Sequence, residues 1–166
     1  ADAKEPEWSY DTGNDVEAVA VSADGEYIAA GDDDGYLHLF DKNNIYLWKS
    51  DELAHFGINS VAISANGDYI VVGSSFAPSG GGGEVYLFSK DNSSYLWHYT
   101  TQDDVWSVAI SADGEYIVAG ANREVDETVY FFSKDSSTPL WITDIGRVES
   151  VSISADGEYI TAGSND

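Results

Sequence analysis

A chain of 166 residues with 43% hydrophobic and 13% aromatic residues is long enough and apolar enough to bury a substantial core, which disfavours disorder. Its 30 acidic and 7 basic residues give a net charge of −23, which repels phosphate and so excludes nucleic acid and disfavours anionic membranes as partners. Cysteine is absent, which excludes disulfides and thiolate metal sites, and no apolar run reaches the roughly 20 residues of a membrane helix.

An acidic, solvated surface keeps a secreted or salt-adapted protein soluble, so we expect an extracellular or cell-surface location. The chain begins Ala1-Asp2 and contains no methionine. Removal of a secretory signal would explain that start, and trimming of a longer chain would explain it equally well.

In chain order, residues 1–7 are a polar lead-in, and residues 7–12 around Trp8 form a short strand-like run that ends in a turn. Residues 16–22 alternate apolar and polar side chains, as a half-buried strand does. Asp24-Gly25 then predicts a tight hairpin turn of the primed type. Three more strands follow at residues 27–31, 36–40 and 46–50, each separated from the next by turn residues.

The segment Ser-Ala-Asp-Gly-Glu-Tyr-Ile at residues 22–28 returns three times with little change. Its first residue falls at Ser22, Ser64, Ser111 and Ser154, and intervals of 42, 47 and 43 residues are typical of a repeat architecture. The repeats span residues 16–50, 58–100, 105–143 and, incompletely, 148–166. Four short strands per period predict an all-β fold, a β-propeller segment of four-stranded antiparallel blades over residues 8–166.

Two repeats carry insertions between their second and third strands. Residues 76–83 end in four glycines, and residues 122–127 are mostly charged, so both are predicted to be surface loops. About four repeats form a small ring at most, and an incomplete ring leaves sheet edges and apolar faces open. We therefore expect a larger ring, completed by self-association or by additional blades from the same or another chain.

The repeated Ser-x-Asp-Gly-x-Tyr-Ile-x-x-Gly pattern resembles the first half of a WD-repeat blade. The second half lacks the Trp-Asp ending and resembles instead the docking motif of pyrroloquinoline-quinone-type (PQQ-like) repeats, in which an Asp-led turn precedes Leu-Trp. Leu47-Trp48, Leu96-Trp97 and Leu140-Trp141 match that motif. The combination is similar to repeat proteins predicted on archaeal cell surfaces. The resemblance implies a propeller whose tryptophans pack between adjacent blades.

The tryptophans divide into two groups. Trp8, Trp48, Trp97 and Trp141 recur at one place in the repeat, so we interpret them as structural docking residues whose indole N–H binds backbone. Trp106 falls outside that register, just before the inner strand of the third repeat. It is the candidate for stacking a ligand near the central channel or at one end of the ring.

Asp32, Asp33 and Asp34 form the single acidic cluster that suggests a metal, because calcium takes several oxygen ligands. The spacing of a known calcium loop is absent and the other repeats do not repeat the cluster, so a solvated turn is the alternative. His38, His55 and His98 lack metal-ligand spacing, which disfavours zinc. No other cofactor is expected.

Two classes of function remain open. The first is a non-catalytic structural or interaction module that binds a protein or glycan partner, or that assembles with itself, because the framework repeats while the loops vary. The alternative, implied by the PQQ-like resemblance, is a fragment of a quinone-dependent dehydrogenase. We expect no enzyme activity, since no catalytic signature is present and basic residues are few.

Overall fold

The structure is a computed structural model that describes residue 5 and residues 7–54, 57–75, 81–122 and 128–165. Most of the predicted lead-in, His55, residues 76–80 of the glycine insertion and residues 123–127 of the charged loop lie outside the described residues.

The described residues form 14 β-strands and no helix, which confirms the all-β prediction. Three antiparallel sheets have four strands each, in sequence order, and we call these sheets blades 1 to 3. Blade 1 comprises β1 (Val16–Val21), β2 (Tyr27–Asp32), β3 (Leu37–Asp41) and β4 (Tyr46–Lys49). Blade 2 comprises β5 (Ile58–Ile63), β6 (Tyr69–Ser74), β7 (Glu84–Ser89) and β8 (Trp97–Thr100). Blade 3 comprises β9 (Val105–Ile110), β10 (Tyr116–Ala121), β11 (Thr128–Ser133) and β12 (Trp141–Asp144).

A fourth sheet consists of β13 (Arg147–Ile153) and β14 (Ile160–Asn165), and we call it blade 4. The first strands of consecutive blades lie next to one another, β1 with β5, β5 with β9 and β9 with β13. The hydrophobic core accordingly consists of three clusters, one for each pair of neighbouring blades. This arrangement is that of a propeller of about four blades.

Neighbouring blades approach closely because the second strand of each carries a glycine. A Cβ atom at Gly31 would lie 2.4 Å from the Ile58 side chain, and one at Gly120 would lie 2.4 Å from Val148. Real Cβ atoms do not come so near, so these positions require glycine. The repeated glycine of the sequence motif is therefore a packing residue between blades.

The prediction of primed hairpin turns was wrong. Only the glycine of each Asp-Gly pair has a positive φ, +73° at Gly25, whereas a primed type I turn needs two such residues. The turn is longer, since Ser22 and Tyr27 close a four-residue loop, with the Ser22 N–H 3.0 Å from the Tyr27 carbonyl oxygen. The Ser22 hydroxyl donates to the Asp24 carboxylate, 2.5 Å, and accepts the Tyr27 N–H, 3.0 Å. These side-chain bonds hold the wider loop in shape.

The lead-in strand at residues 7–12 was also predicted wrongly, because those residues pair with none of the 14 described strands. Trp8 is held instead through its side chain. The indole Nε1 donates to the Lys42 carbonyl oxygen at 3.0 Å, and the ring lies against Phe40. Tyr10 stacks on Tyr46 with ring centroids 5.2 Å apart. Side-chain docking fixes this segment without a backbone ladder.

Candidate functional site

Three of the four repeated tryptophans form hydrogen bonds to the blade that follows them in the chain. Trp48 of blade 1 donates its indole N–H to the Lys90 carbonyl oxygen of blade 2 at 2.7 Å. Trp97 of blade 2 donates to the Lys134 carbonyl oxygen of blade 3, also at 2.7 Å. Trp8 makes the equivalent bond to blade 1. A bond from indole to backbone gives the polar end of a half-buried ring its partner, and the rest of the ring packs on the next blade.

Trp141 has a different environment from the other three. Its ring stacks on Phe131 of its own blade, with centroids 5.1 Å apart, and it is 39% exposed. The other tryptophans bind a carbonyl oxygen in the turn after the third strand of the next blade. Blade 4 has only two strands among the described residues, so it offers the Trp141 indole no such turn there. Beside it lies a cavity of about 340 Å³, with Val129 and Ile160 in its wall. This cavity is at the edge of blade 4.

The first strand of every blade contains a β-bulge near its start. The register of each strand with its neighbour shifts at the same point, and four residues are left unpaired: Glu17, Asn59, Trp106 and Glu149. A bulge turns one side chain out of the regular alternation, and bulges often occur beside binding sites. We call this end of the propeller, where the first strands begin, the bulge end, and the opposite end the hairpin end.

The bulge residues serve different purposes. The Asn59 side-chain amide donates to Ser75 Oγ at 2.7 Å and to the Val105 carbonyl oxygen at 3.0 Å, so it ties blade 2 to blade 3. Trp106 is 50% exposed at the equivalent place in blade 3. The sequence placed Trp106 outside the docking register, and the structure gives the reason, since its position is the bulge. The remaining two bulge residues are exposed carboxylates.

Charge is distributed unevenly between the two ends. The bulge end includes the turns on either side of β1 and β2 at that end, the link after β4 and the end of β12. Its exposed carboxylates include Asp15, Asp33, Asp34, Asp51 and Asp144. Two described cations lie at this end. Lys49 is over the Tyr36 ring at 3.7 Å, and Arg147 is 3.3 Å from Glu149. The bulge end is therefore strongly negative.

The hairpin end is acidic as well, but each of the three full blades carries a lysine there that pairs with a neighbouring carboxylate. Lys90 Nζ is 2.5 Å from the Asp68 carboxylate, and Lys134 Nζ is 3.4 Å from Glu115. Lys42 pairs with Glu26 in the same way. Hydrogen bonding to a carboxylate raises the pKa of all three lysines, chiefly to Glu26 for Lys42, to Asp68 for Lys90 and to Asp135 for Lys134. Both ends are therefore acidic, and three lysine ion pairs offset part of the negative charge at the hairpin end.

The predicted calcium cluster is split by the fold. Asp32 is buried and accepts a hydrogen bond from the Tyr36 N–H at 2.7 Å, and its other oxygen is 2.9 Å from His38 Nε2. Asp33 and Asp34 are exposed in the turn that follows. No group of three or more His, Asp or Glu side chains among the described residues is arranged to hold a metal ion. The geometry gives the calcium hypothesis no support.

A second buried carboxylate was not foreseen from the sequence. Glu84 accepts a hydrogen bond from Thr100 Oγ1 at 2.9 Å and lies beside the Tyr86 hydroxyl, which is also 2.7 Å from the Leu53 carbonyl oxygen. Burial raises the pKa of Tyr86 above its usual value, so the hydroxyl stays protonated and available as a donor. The His98 ring stacks on Tyr86, and a cavity of about 480 Å³ opens beside them. This network fixes the link between blades 1 and 2.

These blades, with Asp-Gly turns, interblade glycines and first-strand bulges, define a protein of the repeat-propeller class. The chain belongs to the WD40 family, since it matches the WD domain, G-beta repeat, over residues 5–41, 50–98 and 89–133. No curated protein matches the chain. The described residues include no helix long and apolar enough to cross a membrane. WD40 propellers typically mediate protein interaction and are generally non-enzymatic scaffolds.

Proposed function

We propose that this chain is a non-catalytic interaction module, secreted or at the cell surface, whose bulge end binds a basic segment of a partner protein. The observation that carries the proposal is the exposed Trp106, raised on a bulge at an acidic end of the propeller. Tryptophan is among the residues that most often dominate the energy of a protein interface. The ring supplies a large exposed apolar area at this acidic end of the molecule.

The negative charge of the bulge end indicates a positively charged partner. An end lined by carboxylates attracts a cationic segment and speeds its encounter, and it repels acidic chains. The hairpin end is also acidic, but its three lysines offset part of that charge, and Trp106 lies at the opposite end. A lysine- or arginine-rich segment that lies across Trp106 would gain cation–π attraction in addition to apolar burial.

A glycan is the second candidate partner, and Trp106 itself favours it, because an exposed indole can stack on a sugar ring. The two candidates differ in their response to salt. Binding of a basic segment weakens as ionic strength rises, since the Debye length falls to about 3 Å at 1 M salt. Binding of a neutral sugar would be nearly independent of salt.

The quinone-dependent dehydrogenase has no specific observation behind it. Its support was the Leu-Trp motif, and those tryptophans lie between blades in the structure. Three of the described basic side chains are tied into ion pairs at the hairpin end. The described residues therefore offer little with which to hold an anionic cofactor.

The test uses arrays of 12-residue basic, neutral and acidic peptides beside an array of neutral glycans, each probed with the native chain and with Trp106→Ala. We expect selective binding to basic peptides that is lost at high salt and reduced at least tenfold by the substitution. Trp141→Ala is the matched control, since it removes another exposed indole away from the bulge end. Selective glycan binding would favour the second candidate, and equal loss in both variants would contradict the site.

A further inference from the structure

Each pair of neighbouring blades is joined by three recurring contacts, and two of the three pairs share a fourth. The glycine of one blade's second strand receives the first-strand side chains of the next blade: Gly31 receives Ile58, Gly73 receives Val105, and Gly120 receives Val148. We call the surface that offers the glycine the trailing face of a blade, and the surface that offers the branched side chains the leading face.

A tyrosine on the trailing face packs on a turn glycine of the next leading face. A Cβ atom at Gly67 would be 2.3 Å from the Tyr27 ring, so only glycine allows the ring to lie there. Gly114 and Gly157 receive Tyr69 and Tyr116 in the same manner. The contact therefore recurs at all three interfaces.

Backbone hydrogen bonds add a third and a fourth recurring contact. The N–H of Ala23 donates to the Ala65 carbonyl oxygen at 2.9 Å, and the same bond links Ala65 to Ala112 and Ala112 to Ala155. In addition, Ser60 Oγ accepts the Val108 N–H at 3.1 Å, and Ser107 Oγ accepts the Val151 N–H at 3.0 Å. Bonds of this kind require a specific alignment of the two blades, which burial of apolar surface alone does not.

Both terminal faces of the array display these features uncovered. On the leading face of blade 1, Val16 is 44% and Val19 is 69% exposed, whereas their counterparts in the other blades are buried, and the space around Gly25 is open. On the trailing face of blade 4, Tyr159 is 71% exposed and the space beside Gly163 is open. The chain thus presents the first-strand features of a leading face at one end and the matching trailing features at the other.

We propose that the trailing face of blade 4 binds the leading face of blade 1 in a second copy of this chain, head to tail. Tyr159 would pack on Gly25 of the other copy, and the space beside Gly163 would receive Val16 and Val19. The Ser150 hydroxyl would accept the Val19 N–H, as Ser60 and Ser107 accept theirs. The occupant is a second copy because the first- and second-strand features of the blade 4 face match those of the blade 1 face, including their backbone polar groups.

Symmetry sets the number of copies. A head-to-tail contact is heterologous, so it makes a ring where the rotation closes and a filament where it does not. Two copies of four blades close a ring of about eight blades, the upper end of the usual propeller range of about four to eight, and three copies would exceed it. The assembly is therefore a dimer with two identical contacts. This contact is separate from the proposed bulge-end site and does not rest on it.

The absence of cysteine from the chain permits a direct cross-linking test. Val19→Cys and Gly163→Cys are made as separate variants, mixed, oxidised and analysed on non-reducing gels with mass spectrometry. We expect a cross-linked dimer in the mixture and none from either variant alone. Cross-links within one variant alone, or none in the mixture, would overturn the head-to-tail contact.

The double variant Val19→Cys/Gly163→Cys distinguishes the remaining geometries. A covalent dimer that carries two disulfides is the expected product. An intramolecular disulfide in a monomer would overturn the proposal, since the two faces would then close on each other within one chain. A ladder of larger species would overturn the two-copy ring.

Gly163→Val gives an independent measurement by light scattering. A side chain at this open position leaves the fold intact, which circular dichroism can verify, and it fills the space that the second copy would occupy. We expect the native chain to scatter as a dimer, at twice the chain mass of 17.9 kDa, and the variant to scatter as a monomer of 17.9 kDa. A native chain that stays monomeric, or a variant that stays dimeric, would overturn the proposal.

Discussion

The indole N–H of Trp97 donates to the carbonyl oxygen of Lys134, 2.7 Å away in the next blade, and the ring packs against Phe132. Trp141 occupies the same place in the following repeat but has neither an equivalent acceptor nor a following third strand among the described residues. This pair of residues allows the contribution of blade docking to be measured within one chain.

Trp97→Ala should lower the free energy of unfolding by about 3–5 kcal/mol, as emptied aromatic core sites do. Trp141→Ala should cost clearly less, since that ring is partly exposed. Urea unfolding of the two variants, followed by circular dichroism, makes the comparison. Equal losses would contradict the assignment of Trp97 as a docking residue.

Gly120 is predicted to tolerate no side chain. In Gly120→Ala the new Cβ would lie 2.4 Å from Val148, and overpacking of this kind costs about 1–3 kcal/mol. Gly163→Ala is the matched control at protein concentrations low enough to keep the chain monomeric, because the same position in blade 4 then faces open space. Thermal unfolding of both variants tests this, and a neutral Gly120→Ala would show that the blades are less tightly packed than described.

The Asp32 carboxylate should be essential for stability and its neighbours should not. In Asp32→Asn, one carboxylate oxygen becomes an NH2 group, which faces the Tyr36 N–H or His38 and cannot accept a hydrogen bond from either. A buried donor left without an acceptor costs about 1–3 kcal/mol of stability. Asp33→Asn, in the exposed turn, should change stability by less than about 0.5 kcal/mol. Chemical unfolding with and without calcium measures both effects. Calcium that stabilises the native chain but not Asp33→Asn would revive the metal hypothesis.

The hairpin turns predict how stability depends on pH. The hydrogen bond from Ser111 is the largest cause that holds the pKa of Asp113 below its usual value of 3.8, and serine has the same effect on Asp24 and Asp156. A lowered pKa in the folded state stabilises the protein above the unfolded value. That stabilisation is lost as the pH falls below about 4 and through the folded pKa.

Asp113→Asn should therefore make unfolding less sensitive to acid below about pH 4 while it preserves the turn at neutral pH. The second repeat already carries Asn66 at this place, where its amide oxygen accepts from Ser64 Oγ at 3.0 Å and from the Asp68 N–H at 3.1 Å. Melting temperatures measured from pH 2 to pH 7 compare the variant with the native chain. If the melting temperature of the variant fell with acid as steeply as that of the native chain, other carboxylates would control the acid sensitivity.

The repeat made the blades predictable, and departures from it were harder to foresee. The sequence predicted a hairpin at Ser22, Asp24 and Gly25. The length of its loop depends on hydrogen bonds from the serine and aspartate side chains to the backbone, and turn propensity alone does not predict those bonds. The bulge at Trp106 arises from a shift in register between β9 and β10, and only the mismatch of that tryptophan with the docking register hinted at it. Glu84 and Tyr86 form their network with Leu53 in the preceding link, a contact between segments that no repeat pattern specifies.

The most direct test of the proposed site is a two-dimensional NMR titration of the chain with a lysine-rich 12-residue peptide, which follows the five tryptophan indole N–H signals. Trp48 and Trp97 hold their indole N–H in bonds between blades, so their signals should stay still. The account predicts that the Trp106 signal, assigned through Trp106→Phe, shifts with added peptide and returns at high salt. A shift confined to Trp141, or no shift at all, would contradict a binding site at the bulge end.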